Sequence, residues 1–311
     1  MLSFINALPG AASQGLIWGI MAIGVYITYK ILDVADLTVD GSFCTGGATF
    51  VMLFGAGVNL WVALLCAFAA GVAAGLCTGL LHTLCGIPAI LSGILTQLAL
   101  WSVNLAIMGM KANVAINIMD KANLERLLIS SRFLRGYPLW RHPILAVGIF
   151  TAAIIAVLYW FFGTERGASL RATGANQSMA RAQGINTNVN VVLGLMLSNG
   201  LVALSGALLS QYQSFADSSM GKGAIVIGLA AVIIGEVIFG KLFTNFALKL
   251  LAVSLGAIIY YAVIQAVVSL SNINTNYLKL ISACIVAIFL AVPYWKGKYA
   301  ATSRKEEKTH A

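Results

Sequence analysis

Acidic residues interrupt an otherwise strongly apolar sequence, and their types and spacing limit the chemistry they could do. The segment LDVADLTVDGSF at 32–43 contains Asp33, Asp36 and Asp40. Carboxylates among apolar residues are costly, so they usually face a cavity or a partner group, such as the ammonium of a solute. One interpretation is a surface loop whose acids cap the next helix. The other is a discontinuous helix at membrane depth, with free backbone N–H groups pointing at a bound solute.

A second acidic segment resembles the first in the other half of the chain. ADSSMG at 216–221 is similar to ADLTVDG at 35–41, and each follows an apolar run and precedes a glycine-rich one. Paired breaks at corresponding places of two halves are typical of transporter repeats. Glu236 is the most isolated charge, and it either lines a central path or lies at the membrane surface near Lys241. The predicted solute path contains Asp36, Thr38, Asp40, Asp217 and Glu236.

Motifs for catalysis, nucleotide binding and metal binding are missing from the sequence. It contains no GxxxxGK[ST], HExxH or GxSxG pattern and no paired metal-ligand spacing. The cysteines lie in or at apolar runs without CxxC spacing, so we interpret them as packing residues. We therefore expect no catalytic residue, no metal and no cofactor. If ATP drives the protein, another chain hydrolyses it.

A polar segment with three arginines, ERGASLRATGANQSMARAQGIN at 165–186, lies between two apolar runs. Thr164 before Glu165 is a helix-start signal, and the small residues that follow favour tight packing. We predict a short helix held at the membrane surface by two spans. A soluble partner could grip such a helix and pass force into the membrane.

Composition decides which elements must position these groups. The chain has 311 residues, of which 60% are hydrophobic and 9% charged, and its mean hydropathy is +0.91. These values exclude a soluble globule. Backbone polar groups must be satisfied internally in lipid, so the fold class is an all-α, polytopic transmembrane helical bundle. Nine apolar runs approach the roughly 17–25 residues of a span: 11–32, 42–58, 60–81, 86–109, 143–162, 190–213, 223–240, 246–270 and 277–293.

Charge asymmetry predicts how the bundle is oriented. The basic residues near 241–249 and those of the tail at 294–311 fall on the same side as the arginine segment, so we place that side in the cytoplasm. The loop at 110–142 then lies outside, although it is also basic. Its predicted amphipathic helix at 120–134 is either a cap over the bundle or a docking surface for an external partner. The net charge of +9 reflects membrane topology, and we expect no nucleic-acid partner.

Several segments together resemble one family of membrane proteins. RATGAN at 171–176 and ARAQGIN at 180–186 resemble the cytoplasmic coupling segment of bacterial ABC-importer permeases for branched-chain amino acids and ribose. ADLTV at 35–39, SGALL at 205–209 and GLAAVIIG at 228–235 match further segments of that family in order. The runs DLTVDGS and IIGE are most similar to its tryptophan/tyrosine-type permease subgroup.

The resemblance implies partners and a mechanism. It implies a permease dimer in the lipid bilayer of the bacterial plasma membrane, two cytoplasmic ABC ATPase subunits and an extracytoplasmic solute-binding protein. The segment at 165–186 would be the coupling helix seated in the ATPase. The residues carried over to that role are Arg171, Gly174, Asn176, Arg181 and Gly184. The chain would then be a single permease domain over 1–293 with a basic cytoplasmic tail over 294–311.

Two departures from the ribose branch point to the solute. Glu236 replaces a glycine common there, and Asp40 adds an acid, which suits a zwitterionic solute bearing an ammonium group. We therefore predict the permease subunit of an importer for an aromatic amino acid. A secondary transporter driven by Na⁺ or H⁺ is the alternative from another class, since broken helices serve both. A permease for a sugar or nucleoside, and pairing with a different permease, also remain open.

Overall fold

The computed structural model describes residues 2–117, 124, 126–131, 142–240, 242–271, 280, 283–284, 286–288 and 291 of the chain. Most of the predicted span at 277–293, most of the predicted helix at 120–134 and the tail at 294–311 lie outside these residues. The described part forms ten α-helices: α1 Leu2–Tyr26, α2 Val39–Gly55, α3 Leu60–Thr83, α4 Ala89–Ile107, α5 Pro143–Gly163, α6 Glu165–Ala175, α7 Gln177–Ala182, α8 Thr187–Gln213, α9 Ala224–Phe239 and α10 Phe246–Ser271. It also contains a π-helical turn, Ile27–Ile31, and two short strands, β1 Asn113–Ala115 and β2 Phe215–Asp217.

These helices confirm the predicted all-α, polytopic membrane fold. Within the described residues, six segments are long and apolar enough to cross a bilayer: Leu8–Ile31, Leu60–Thr83, Ala89–Ile107, Pro143–Gly163, Thr187–Gln213 and Phe246–Val268. Helix α2 has 17 residues and α9 has 16, so both are shorter than a full span.

Two helices form the centre of the bundle. Helix α8, and α1 with its π-turn, are the most buried: in each, 78% of the residues of the best membrane-spanning window are buried. The corresponding share is 22% in α4 and 17% in α5. Helices α4 and α5 therefore present most of their surface outwards. Because lipid tails are as apolar as leucine, small residues and interhelical hydrogen bonds must join the central pair to its neighbours.

Polar and small side chains make these central contacts. Ser198 and Ser205 of α8 donate their hydroxyls to the carbonyl oxygens of Gly24 and Ile17 in α1, both at 2.7 Å. At Gly71 of α3 a Cβ atom would overlap the backbone of α8, so only glycine permits this close approach. Ser198 contacts the later of the two α1 residues and Ser205 the earlier one, so α1 and α8 are antiparallel.

The two ends of the bundle carry different structures. Strands β1 and β2 pair antiparallel, with Val114 opposite Ala216, and we call this the β-ribbon end. Helices α6 and α7 lie at the opposite end, which we call the α6–α7 end. The π-turn that extends α1 reaches the α6–α7 end, where Ile31 contacts α6. From there the chain must return into the bundle before α2 can begin.

This return decides between the two interpretations of the segment near 33–41, in favour of the broken helix. The backbone is not helical between the π-turn and Val39, and Asp33 takes the left-handed conformation at φ 55°. Asp36 is only 3% exposed and Thr38 is fully buried. The segment is therefore a discontinuous helix inside the bundle and not a surface loop.

Candidate functional site

Asp36 lies at the centre of the break and is held by two hydrogen bonds. Its Oδ1 accepts from the backbone N–H of Thr38 at 2.9 Å. Its Oδ2 accepts from the side-chain amide of Asn199, near the middle of α8, at 2.7 Å. Both side chains are buried, and their hydrogen bond joins the break to α8.

Asn199 and a neighbouring pair of threonines extend these contacts to two further helices. The Oδ1 of Asn199 accepts from the Ser42 hydroxyl at 2.7 Å, and its Nδ2 also donates to the carbonyl of Leu195 at 3.0 Å. Beside it, the hydroxyls of Thr38 and Thr78 share a hydrogen bond of 2.7 Å. We name these five side chains the break cluster: Asp36, Thr38, Ser42, Thr78 and Asn199. The cluster joins the break to α2, α3 and α8, and every one of its members is buried.

Asp40 makes a different contact, with the start of α9. Its two carboxylate oxygens accept from the backbone N–H groups of Gly223 at 2.9 Å and Ile225 at 3.0 Å. A carboxylate is stabilising here because the first N–H groups of a helix have no internal partner and carry partial positive charge. At Gly221 a Cβ atom would overlap the carbonyl of Asp40. The two acidic segments that the sequence pairs are thus in direct contact.

A graded series at Asp40 tests this capping role. We expect Asp40→Ala to lower the free energy of unfolding by about 0.5–2 kcal/mol, because two N–H groups lose their acceptor. Asp40→Asn keeps one of the two acceptor oxygens, so we expect a smaller loss than in Asp40→Ala. Thermal unfolding of the purified protein in detergent measures both. Equal losses for the two variants would show that Asp40 does not act as a cap.

Asp217 belongs to β2 and is held by its own turn. Its Oδ1 accepts from the backbone N–H and the hydroxyl of Ser219, and its Oδ2 accepts from the side chain of Asn113 at 3.4 Å. Burial raises the pKa of this carboxyl, but these hydrogen bonds and the nearby charge of Lys222 outweigh it and hold the pKa below its usual value. Its carbonyl oxygen also accepts from the thiol of Cys44 in α2 at 3.3 Å.

Next to these groups lies a cavity of about 340 Å³ between α2, α4 and the loop before α9, which we call the half-height cavity. The residues that line it and bear polar or aromatic side chains are Asp40, Cys44, Gln97, Trp101, Asn104 and Lys222. Asp40 is therefore both a helix cap and part of a cavity wall. Ser218, the neighbour of Asp217, also lines the cavity.

Glu236 lies apart from the other predicted path residues. It forms an ion pair with Lys30 at 3.1 Å, and the two side chains are 39% and 50% exposed. Lys30 belongs to the π-turn that contacts α6, so Glu236 lies at the α6–α7 end. Exposed pairs of this kind contribute about 0–1 kcal/mol. Lys241, its neighbour in the sequence, lies outside the described residues.

The arginine segment forms two helices where the sequence predicts one. The Thr164 hydroxyl accepts from the backbone N–H of Gly167 and starts α6, as predicted. Asn176 then adopts an extended conformation, with φ at −162°, and its side chain accepts from the N–H of Met179 to start α7. An asparagine that caps a new helix ends the previous one, which is why the segment divides there. Gly184 follows α7 in the left-handed conformation, with φ at +79°.

Helix α6 is seated against the two central helices. At Gly174 a Cβ atom would overlap the carbonyl oxygen of Ile31, the last residue of the π-turn. The side-chain amide of Asn190 in α8 donates to the hydroxyls of Ser169 at 2.9 Å and Thr173 at 2.8 Å. A displacement of α6 must therefore act on the end of α1 and the start of α8.

The predicted coupling arginines differ in their surroundings. Arg181 donates its Nε–H to the hydroxyl of Thr187 at 2.8 Å, which fixes α7 to the start of α8. Arg171 is exposed and lines a cavity of about 950 Å³ together with Lys30 and Lys249.

Among the described residues, no group of three or more His, Cys, Asp or Glu side chains could hold a metal ion.

Sequence reasoning did not identify several of these groups. Asn199 could have been noticed, because an amide in the middle of a long apolar run is costly unless it has a partner. Lys30, Trp101 and Lys222 carry no comparable signal, since each lies near the end of a run or among other aromatic and apolar residues.

Comparison with known proteins gives this arrangement a context. Residues 8–291 match the model of the family described as the permease component of branched-chain amino acid transport systems. The chain is 40% identical to the tyrosine transport system permease protein of Clostridioides difficile (strain R20291), over 92% of this chain and 91% of that protein. It is 25% identical to the ribose import permease protein RbsC of Escherichia coli (strain K12), over 93% of this chain and 85% of that protein.

A solved structure shares the fold. PsaBC from Streptococcus pneumoniae, in complex with a Fab, aligns with a TM-score of 0.50 at 15% sequence identity, over 92% of this chain and 90% of that one. The family match and the first relative confirm the predicted resemblance, and the spanning helices make the chain a multi-pass protein of the bacterial plasma membrane. The chain belongs to the family of permease components of branched-chain amino acid transport systems.

Proposed function

We propose that this chain is the permease subunit of an ABC importer for an aromatic amino acid. The observation that carries the proposal is its 40% identity, over 92% of its length, to a permease named for tyrosine transport. Two copies of the chain pair in the membrane, and two separate ATPase subunits bind α6 and α7 from the cytoplasm. An extracytoplasmic binding protein delivers the solute at the β-ribbon end.

Force passes through the contacts of α6. ATP-driven closure of the ATPases moves α6, which pushes through Gly174 on the carbonyl of Ile31. The π-turn continues directly into the break, so this movement reaches the break cluster at the centre of the bundle. Because the cluster joins α2, α3 and α8, one displacement at the α6–α7 end changes the packing of three helices.

The predicted path residues divide into three roles in this mechanism. Asp36 and Thr38 have their hydrogen-bonding groups directed at protein partners, so they position the break. Asp40 and the segment of Asp217 adjoin the half-height cavity and face the moving solute. Glu236 and Lys30 form a charged pair at the cytoplasmic exit, where separation of α1 from α9 would open the path.

Reconstitution tests the proposed function. We expect proteoliposomes containing the chain, its ATPase and its binding protein to accumulate tyrosine only when ATP is supplied on the α6–α7 side. Excess ribose should not compete with tyrosine. Accumulation by the chain alone, driven by a Na⁺ or H⁺ gradient without nucleotide, would instead establish a secondary transporter. Accumulation of ribose in place of tyrosine would refute the amino-acid assignment.

A further inference from the structure

The position of Lys222 shows which side of the bundle is in contact with water. Its ammonium lies 4.5 Å from the centre of the Trp101 ring, and its side chain is exposed. Trp101 and Gln97 flank the midpoint of α4, a helix that is long and apolar enough to span the bilayer. An ammonium facing lipid at this depth would cost about 2.5–3.5 kcal/mol or more. This face of α4 therefore borders an aqueous space and not lipid.

Opposite charge is present in the same cavity. The carboxylate of Asp40 lines the half-height cavity together with Lys222. Its two hydrogen bonds from α9 use one lone pair on each oxygen, and a carboxylate has about four. The cavity is thus lined by a cation and by an anion that has capacity for further contacts.

An unsatisfied polar atom also points to a missing partner. Asn104 is 2% exposed, and its Nδ2 donates to the carbonyl of Gly41 at 3.3 Å. Its Oδ1 accepts no hydrogen bond from any described residue, although buried acceptors are nearly always satisfied. Asn104 lines the half-height cavity as well. This oxygen is covered by protein atoms, so a donor in the cavity would reach it only after rotation of the Asn104 side chain.

We propose that the half-height cavity is a transit site for the zwitterion of an aromatic amino acid. Lys222 binds the α-carboxylate, Asp40 binds the α-ammonium, and the Trp101 ring packs on the aromatic side chain. The volume of about 340 Å³ lies within the range of small-molecule sites. This inference rests on the proposed function, and it assigns the point at which the permease itself contacts the solute.

The chemistry of the site excludes a tight complex. Lys222 already interacts with Trp101 and with the charge of Asp217, so a bound carboxylate must compete with both. A transport site must also release its solute, which requires modest affinity. We therefore expect weak binding, which saturation-transfer NMR on the full-length permease in detergent can measure without the ATPase or the binding protein.

Three probes separate the two charges. They are L-tyrosine, tyramine, which lacks the carboxylate, and 3-(4-hydroxyphenyl)propionate, which lacks the ammonium. Lys222→Gln should weaken tyrosine binding about ten- to a hundredfold, as expected for a hydrogen bond to a charged group, and leave tyramine unaffected. Asp40→Asn, which retains one acceptor oxygen for the start of α9, should weaken tyrosine binding by a similar factor and leave the propionate unaffected.

The control is Lys111→Gln, which removes an exposed lysine that does not line the cavity. It should bind all three probes as the wild type does. An equal loss for all three probes in Lys222→Gln or Asp40→Asn would overturn the site, because it would indicate misfolding or a role unrelated to charge. Unchanged tyrosine binding in both variants would overturn it too.

Failure of the site differs measurably from failure of the proposed function. If the wild-type permease binds no tyrosine while the reconstituted complex still accumulates tyrosine with ATP, the transit site is wrong and the importer stands. If tyrosine binds with the predicted probe pattern while uptake needs no nucleotide, the site stands and the ABC mechanism is wrong.

Discussion

Replacing Gly174 by alanine should uncouple ATP hydrolysis from solute uptake. Alanine is the better helix former, so the change favours α6 itself. The added methyl group, however, would overlap the carbonyl of Ile31, a backbone atom that no side-chain rotation can move away. Overpacking of this kind costs about 1–3 kcal/mol. If this overpacking displaces α6 from its position against α1 and α8, the uptake of solute per ATP hydrolysed should fall roughly 5–150-fold.

Gly163, at the end of α5, provides the matched control. It lines the same cavity as Gly174, but a Cβ atom there would meet no other atom within 4 Å. Gly163→Ala should therefore keep uptake and hydrolysis coupled. A second variant, Asn190→Ala, removes both hydrogen bonds that α8 donates to α6, and it should also lower the uptake per ATP hydrolysed. If Gly174→Ala keeps uptake coupled to ATP hydrolysis at the wild-type level, then the contacts of α6 with α1 and α8 are not the point of force transfer.

Asp36→Asn should abolish most uptake while the ATPase remains bound. The new amide would direct a donor at the Nδ2 of Asn199, where the carboxylate now accepts a hydrogen bond at 2.7 Å. Rotation of the Asn199 amide would restore that contact, but it would sacrifice the hydrogen bond to Leu195. A buried polar group left without its partner costs about 1–3 kcal/mol. The break cluster would loosen while α6 and α7, the helices that we propose to bind the ATPase, keep their contacts.

Two further variants serve as controls for Asp36→Asn. Asp33 is exposed, so Asp33→Asn removes a carboxylate of the same segment and should leave uptake unchanged. The double variant Asp36→Asn with Asn199→Asp again pairs an amide with a carboxylate, and we expect it to recover part of the lost uptake. The measurements are uptake into proteoliposomes and co-purification of the ATPase. Full uptake by Asp36→Asn, or no recovery in the double variant, would contradict the proposed role of the cluster.

The elements of this fold could be predicted because their signals are local. An apolar run long enough for the bilayer defines a span, three acids and a glycine in ten residues define the break, and Thr164 starts α6. The resemblance to a known family then supplied the interpretation of the arginine segment. None of these inferences requires knowledge of which helices are neighbours.

The contacts between elements could not be predicted, for a physical reason. These helices are apolar on all sides, so no polar stripe indicates which face meets which partner. The pairing of Asp36 with Asn199 spans 163 residues, and that of Lys30 with Glu236 spans 206. Both depend on the register of helices in three dimensions. The division of the arginine segment at Asn176 escaped prediction because an asparagine can either continue a helix or cap the next one.

The burial of α1 has a consequence for biogenesis. This helix leaves the ribosome before α8 and α10, two of its main partners, which are made more than 150 residues later. During that interval its polar side chains must be tolerated by lipid or by the insertion machinery. Ser13 and Thr28 donate to carbonyls of their own helix, at Pro9 and Val25, and so need no later partner. Helix α1 can therefore wait in the bilayer without an unsatisfied hydroxyl from either residue until the rest of the chain surrounds it.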